Sequence, residues 1–314
     1  MTFGERRKRA DLKLILKDMD EIESAFLADV QKLNKKRHQQ LVKRVQKILS
    51  ELREAHTQGD TKQVEGLLAT LSMPSHKEYR KVIQRLIRTS AHAGILRAHN
   101  ELKVLADRYK FSVDDIYEGI TLIAETTDEV NYPVQALAWL DNYALSITVI
   151  TEQTVINRIR AELMKALRGE LSEAQTIQAI RETSATWLSQ AHAETIARTE
   201  TSKMYNAGRL ARYTAKENNG FVVALQYDSI VDRRTTELCK HLDGRIISIE
   251  NRSVIAEYSP PNHFKCRAIW LPVTRYEEWE DDFDISMKPE KGFEDNQIEV
   301  SDVLNGGNRP LVKD

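Results

Sequence analysis

Apolar side chains in the first half of the chain recur every three or four residues. Ile22, Phe26, Val30 and Leu33 step by four, four and three, and Leu41, Val45, Ile48 and Leu52 resume the rhythm after an interruption at Arg37. A stripe of this period is one face of a long amphipathic helix. Thr57-Gln58-Gly59-Asp60 predicts its end near His56, and a short helix follows over Val64–Leu71. Pro74-Ser75 opens the next helix, with Ser75 as N-cap and Glu78 three residues on, and Val82, Leu86, Ala91, Ile95 and Leu102 form its apolar face. Ser112-Val113-Asp114-Asp115 starts another through Ile116, Ile120 and Ile123. Pro133 precedes a long one through Leu140, Tyr143, Ile147, Ile150, Ile156, Ile159 and Leu163, which Arg168-Gly169 ends. Ser172 and Gln175 make a second capping box, for a helix to about Thr183, and a last helix is predicted from Ser189 to Asn218, closed by Asn219-Gly220.

After Gly220 the period changes. Residues 221–227 read as a strand, Asp243-Gly244 as a turn before a strand over 245–249, and 268–273 as a third strand. The predicted class is therefore α+β: a long, mostly helical region over 1–185, a small helix-plus-antiparallel-sheet domain over 186–275, and a tail over 276–314. The tail carries Glu277, Glu278, Glu280, Asp281, Asp282 and Asp284 and then Gly306-Gly307; little of it can be buried, so it is expected to be loosely ordered.

Composition supports this picture. Only 12 Gly and 7 Pro punctuate 314 residues, which favours long elements, and 30% of residues are charged, as exposed helices require. The net charge of -1 conceals a gradient. Residues 1–50 hold 13 Lys/Arg against 7 Asp/Glu, and residues 275–314 hold 5 against 12. Lys35, Lys36, Arg37, Lys43, Arg44, Arg80, Lys81, Arg85 and Arg88 are candidates for phosphate contact, since neutralising a phosphate backbone releases counterions; the alternative is a solvated helix face. Two cysteines do not make a disulfide framework, the basic N-terminus has no apolar run behind it, and no stretch of about 18 apolar residues occurs. A cytoplasm-like setting and no membrane partner are expected.

Two clusters carry chemistry. The first lies on the Ser189–Asn218 helix: Arg198, Glu200, Thr201 and Asn206, with Glu194 and Arg198 an i,i+4 pair. It is read as a polar network that locks the helix onto the sheet, or else as a ligand site. The second contains Asp228, Asp232, Thr235, Cys239, His241, Asp243 and Gly244, followed by Pro260-Pro261, His263, Cys266 and Arg267. Cys239, His241, His263 and Cys266 form C-x-H and H-x-x-C pairs, a donor set that suits tetrahedral zinc; if all four ligate, the site is closed and structural. Otherwise the thiols pack as small apolar groups and His263 bonds to the Asp228–Thr235 loop. A Cys–His nucleophile, or a nuclease built on Asp228, Asp232, Glu237 and His263, has no sequence support beyond proximity. No Walker A loop, G-x-G-x-x-G or G-x-S-x-G occurs. No catalytic residue, no small-molecule substrate and no cofactor other than zinc is expected.

The order of these pieces resembles the phage Mu F-like, SPP1-type head-morphogenesis family over about residues 150–275. Ala197-Arg198-Thr199-Glu200, Asn206-x-Gly208, Asp232-Arg233-Arg234-Thr235, Cys239-x-His241-Leu242-Asp243-Gly244 and Pro260-Pro261-x-His263-x-x-Cys266-Arg267 carry the likeness. Thr236 and Ala268 stand where members often have cysteine. The resemblance implies a minor head protein of a tailed phage, not an enzyme, assembled in the host cytoplasm and held in the virion head interior near the portal. Its implied partners are the portal protein, non-specifically bound double-stranded DNA during packaging or ejection, and scaffold or major capsid protein. The rivals are a virion-delivered zinc-dependent hydrolase, nuclease or ADP-ribosyltransferase, and a scaffolding or linker protein that binds only protein.

Overall fold

The computed structural model describes residues 3–111, 134–218, 220–282, 285–293, 301, 302 and 304. The helix expected from Ser112 and the Gly306-Gly307 segment lie outside the described residues. The architecture is α+β, as the periodicity predicts. Six helices come first: α1 (Phe3–Thr57), α2 (Thr61–Ala69), α3 (His76–Tyr109), α4 (Val134–Leu167), α5 (Glu173–Trp187) and α6 (Gln190–Tyr213). β1 (Val222–Asp228), α7 (Glu237–Leu242), β2 (Ile246–Ser248), α8 (Arg252–Tyr258) and β3 (Ile269–Thr274) complete the order.

Local chemistry sets most of the ends. Asp60 caps α2 by accepting from the Gln63 amide, and Ser172 with Gln175 forms the reciprocal capping box of α5. Ser75 stands at the N-cap position of α3, as expected, its carbonyl accepting from the Tyr79 amide at 3.0 Å, but with φ at 54° rather than extended, while Glu78 is exposed. α6 stops at Tyr213, earlier than expected, because Asn218 turns back to bond the carbonyls of Arg212 and Tyr213 at 2.8 Å each.

The chain divides into two compact units. One comprises residues 1–24, 85–142 and 195–314, and the other residues 25–84 and 143–194. They are built from alternating stretches, so the linear bounds at 185 and 275 mark changes of sequence character rather than compact bodies. The second unit packs Leu41, Val45, Leu49 and Leu52 of α1 against Val155, Ile156, Ile159 and Leu163 of α4, with Ile180 of α5. In the first unit the sheet has the order β2-β1-β3, antiparallel throughout, with Leu225 opposite Ile247 and Tyr227 opposite Trp270. β3 is buried along its whole length, which explains its unbroken apolar run. It tolerates Pro272 because it is an edge strand. Its residues Ile269 and Leu271 meet Tyr205 of α6 and Ile15 and Met19 of α1, and Trp270 packs into the cluster of Leu225, Tyr227, Leu242 and Ile247.

Residues 277–282 and 285–293 are held against this unit. The Asp282 and Asp281 carboxylates accept from the Ile246 and Ser248 amides of β2, the Tyr258 hydroxyl donates to the Met287 carbonyl, and Phe293 is buried edge-on to Phe264 at 4.8 Å. Acidic composition alone does not reveal these roles. No helix among the described residues is long and apolar enough to cross a membrane.

Candidate functional site

The polar face of α6 is largely a lock. Asn206, fully buried, donates to the Ala268 carbonyl at 3.2 Å, and Arg209 donates to the Trp270 carbonyl at 3.0 Å, so two side chains of α6 hold the backbone leading into β3. Arg209 is closed off completely. Its charge is met by Glu101 of α3 at 3.0 Å, and the Tyr213 hydroxyl shares that carboxylate at 2.5 Å. A buried guanidinium requires such a partner, because desolvating an unpaired ion costs far more than a hydrogen bond returns. Burial works against the charged form, but Glu101 and the neighbouring tyrosines more than offset it, and Arg209 holds its proton more tightly than usual. Of the sequence-singled residues, Glu200 is buried and Arg198 is half-exposed, 3.4 Å from Glu23. Arg209, Arg212 and Glu101 were not anticipated. The available signal was an arginine at 209 on the same face as Tyr205 and Tyr213, four residues either side.

The second cluster folds into a clamp beside β1. Arg267 grips Asp232 with two bonds of 2.8 and 2.7 Å. The Asp232 amide donates to the Thr235 hydroxyl, which in turn donates to the Ile230 carbonyl. The Arg267 side chain, with the Arg234 amide, holds the Asp232 carboxyl well below the usual carboxylate range. Asp243 accepts from the Ser229 amide at 2.8 Å, while Gly244, at φ 86°, returns its amide to the Tyr227 carbonyl. These signature residues shape a loop and leave its interior to the cysteines.

Cys239 on α7, with His263 and Cys266 from the loop before β3, converge there, their donor atoms within 4.8 Å of one another. Cys239 Sγ lies 3.3 Å from His263 Nε2, 3.8 Å from Cys266 Sγ and 3.4 Å from the Tyr227 hydroxyl. The two thiols titrate as a pair. The hydrogen bond from Cys239 brings Cys266 down to about 7 against the pull of burial, and the same bond, with burial, pushes Cys239 up. Burial opposes a charge on His263, but its bond to Cys239 outweighs that and raises it. His241, the fourth predicted ligand, does not join the group. It is exposed on α7, with Nε2 3.2 Å from the Arg245 guanidinium, because a C-x-H spacing on a helix points the two side chains in different directions.

The predicted phosphate contacts separate into two kinds. Lys35, Lys36, Lys43, Lys81 and Arg85 are exposed, Arg44 is exposed and donates to the Ser72 carbonyl at 3.2 Å, and Arg80 is half-buried. Arg88 is paired with Asp141 at 3.0 Å. Arg37 must be withdrawn from the set. It is fully buried, ion-paired with Glu152, bonded to the Pro74 carbonyl at 3.1 Å and stacked 4.0 Å over the Tyr79 ring. No phosphate can reach it. The exposed face that remains is continuous: residues 30–50 contain no Asp or Glu, and Lys32, Lys36, Lys43 and Lys47 follow one another at intervals of four, seven and four, opposite the buried stripe.

Together these features describe an α+β protein whose small sheet is held to a helix by two buried side chains, Asn206 and Arg209, and carries a Cys–His–Cys group beside it. Comparison with known proteins narrows the class: residues 157–270 match the family described as Phage Mu protein F like protein. That stretch is similar to the Mu F-like family, in agreement with its motif order. The match begins inside α4, upstream of the sheet-bearing stretch. No curated protein and no solved structure matches the chain.

Proposed function

We propose that the chain is a minor head protein of a tailed phage. In this reading it is portal-associated in the head interior, non-catalytic, and acts in head morphogenesis with contact to packaged DNA. The domain match over residues 157–270 is the observation that carries the head assignment. Portal docking follows from that family reading, with scaffold or major capsid protein as further partners. The DNA half is supported by the acid-free lysine face of α1, where Lys32 to Lys47 span about 22 Å at 1.5 Å per residue, enough to follow several phosphates. Such contact reads charge rather than base sequence.

Two experiments test the two halves. In a filter-binding salt titration, four phosphate contacts give a slope of log K against log salt of roughly −3 to −4, flattened when Lys32, Lys36, Lys43 and Lys47 are changed to Glu. A flat slope for the unaltered chain overturns the DNA half. Co-sedimentation with portal rings is expected, and consistent absence from the portal fraction overturns the docking half.

A further inference from the structure

Cys239, His263 and Cys266 are arranged as a ligand set rather than as packed apolar groups. Two thiolates on a tetrahedral zinc, each at about 2.3 Å, stand about 3.8 Å apart, and a thiolate and an imidazole nitrogen about 3.6 Å. The observed separations are 3.8 Å for Cys239 and Cys266 and 3.3 Å for Cys239 and His263. The imidazole is already oriented: His263 Nδ1 lies 2.9 Å from the Phe264 carbonyl, which fixes the proton there and turns the Nε2 lone pair toward the sulfurs. A backbone carbonyl on the far nitrogen is the usual support for a metal-bound histidine. Arg267, which lines the adjoining cleft, does not compete for the site, since it is spent on Asp232. Beside Cys239 and His263 opens a cleft lined by Ser229, Thr235, Arg234 and Ala268, where a water's centre has about 10 Å³ to occupy. That is room for one water molecule and no more.

We propose that Cys239, His263 and Cys266 bind one divalent cation of zinc's class, with a single water as fourth ligand and His241 outside the coordination sphere. The tight cleft leaves no place for a substrate at the open position, so the ion acts as a clasp between α7 and the loop preceding β3. The sequence's four-ligand pattern thus becomes a three-ligand site. This inference does not depend on the phage-head reading.

The test uses the full chain, purified under reducing conditions, with zinc content measured and cobalt(II) titrated in. The unaltered chain is expected to retain about one zinc and, with cobalt, to show a sulfur-to-metal charge-transfer band and the intense visible bands of tetrahedral geometry. With two cysteines in the whole chain, that band can come only from Cys239 and Cys266. His241→Ala should bind within about twofold of the unaltered chain. Cys266→Ser should bind at least about tenfold more weakly, the lower bound set by the loss of a mere supporting contact. If Cys266→Ser does not fold, the cobalt spectrum of the unaltered chain decides. Absence of both zinc and the charge-transfer band overturns the proposal, as does a loss of metal in His241→Ala equal to that in Cys266→Ser.

Discussion

Gly94 and Gly208 mark the points where α3 and α6 touch backbone to backbone. A Cβ on Gly94 would sit 2.1 Å from the Tyr205 carbonyl oxygen, and one on Gly208 2.2 Å from that of Ala91. Neither neighbour is a flexible side chain, so the helices themselves must separate. Gly208→Ala is therefore expected to destabilise the protein by at least about 1–3 kcal/mol, although alanine is the better helix former, and urea melts would show a lower midpoint. A midpoint unchanged or raised would mean that the helices are not this close. The Arg209–Glu101 pair is a second residue-scale test. Arg209→Met strands Glu101 in a buried site, at a cost of about 3–5 kcal/mol, while Arg209→Met with Glu101→Leu recovers most of it. Recovery that fails in the double variant would show that the carbonyl bond to Trp270, not the ion pair, dominates. The sequence marked Asn206 as part of a polar face that either locks the helix onto the sheet or holds a ligand, and in the structure its buried amide bonds the Ala268 carbonyl. It hid Arg209, because an arginine on a charged helix looks solvated until its partner, 108 residues earlier, is brought beside it.

At the scale of elements, hydrophobic periodicity was enough to place the long helices and the switch to strands, since burial on one face is what creates the period. It could not say what the gap in the α1 stripe meant. Arg37 stands four residues before Leu41, at a buried position, and only the fold supplies Glu152 opposite it. The Cys–His–Cys cluster was legible as a set of residue types but not in its membership. A two-residue spacing fixes which ligands are near in sequence, whereas helix geometry decides that Cys239 faces inward and His241 outward. Two substitutions one residue apart on α1 should then behave oppositely. Arg37→Met should lower stability by about 3 kcal/mol, the low end for a broken buried pair because His76 still bonds Glu152, and leave DNA affinity unchanged in folded protein. Lys36→Glu, on the exposed face, should change stability by less than about 0.5 kcal/mol and weaken DNA binding at low salt. Chemical melts and filter binding on the same two preparations check both; weaker DNA binding by folded Arg37→Met would contradict the buried assignment.

For the whole molecule, charge and titration point to a defined working range. The unit of residues 25–84 and 143–194 holds 17 Lys/Arg against 12 Asp/Glu, a net of +5; the other holds 29 against 35, a net of −6. Thus the near-neutral total of -1 conceals two oppositely charged bodies. Superimposed on this are three histidines that prefer to be neutral. Burial depresses His38, with the Arg181 charge adding to it, and burial alone depresses His92 and His192. A histidine whose folded pKa lies below its unfolded value of about 6.5 contributes stability that is full above that value and is lost as pH falls through the folded one. His263 is raised and runs the other way, but it is one group against three. The thermal midpoint should therefore fall between about pH 7.5 and pH 5.5, before the carboxylates take up protons, and the fall should at least halve in a variant with His38, His92 and His192 all changed to Gln. His38 is the most informative of the three, because the Arg181 charge adds to burial in holding its ring neutral. Equal falls in the parent and the triple variant would move the acid sensitivity elsewhere, to carboxylates outside these contacts.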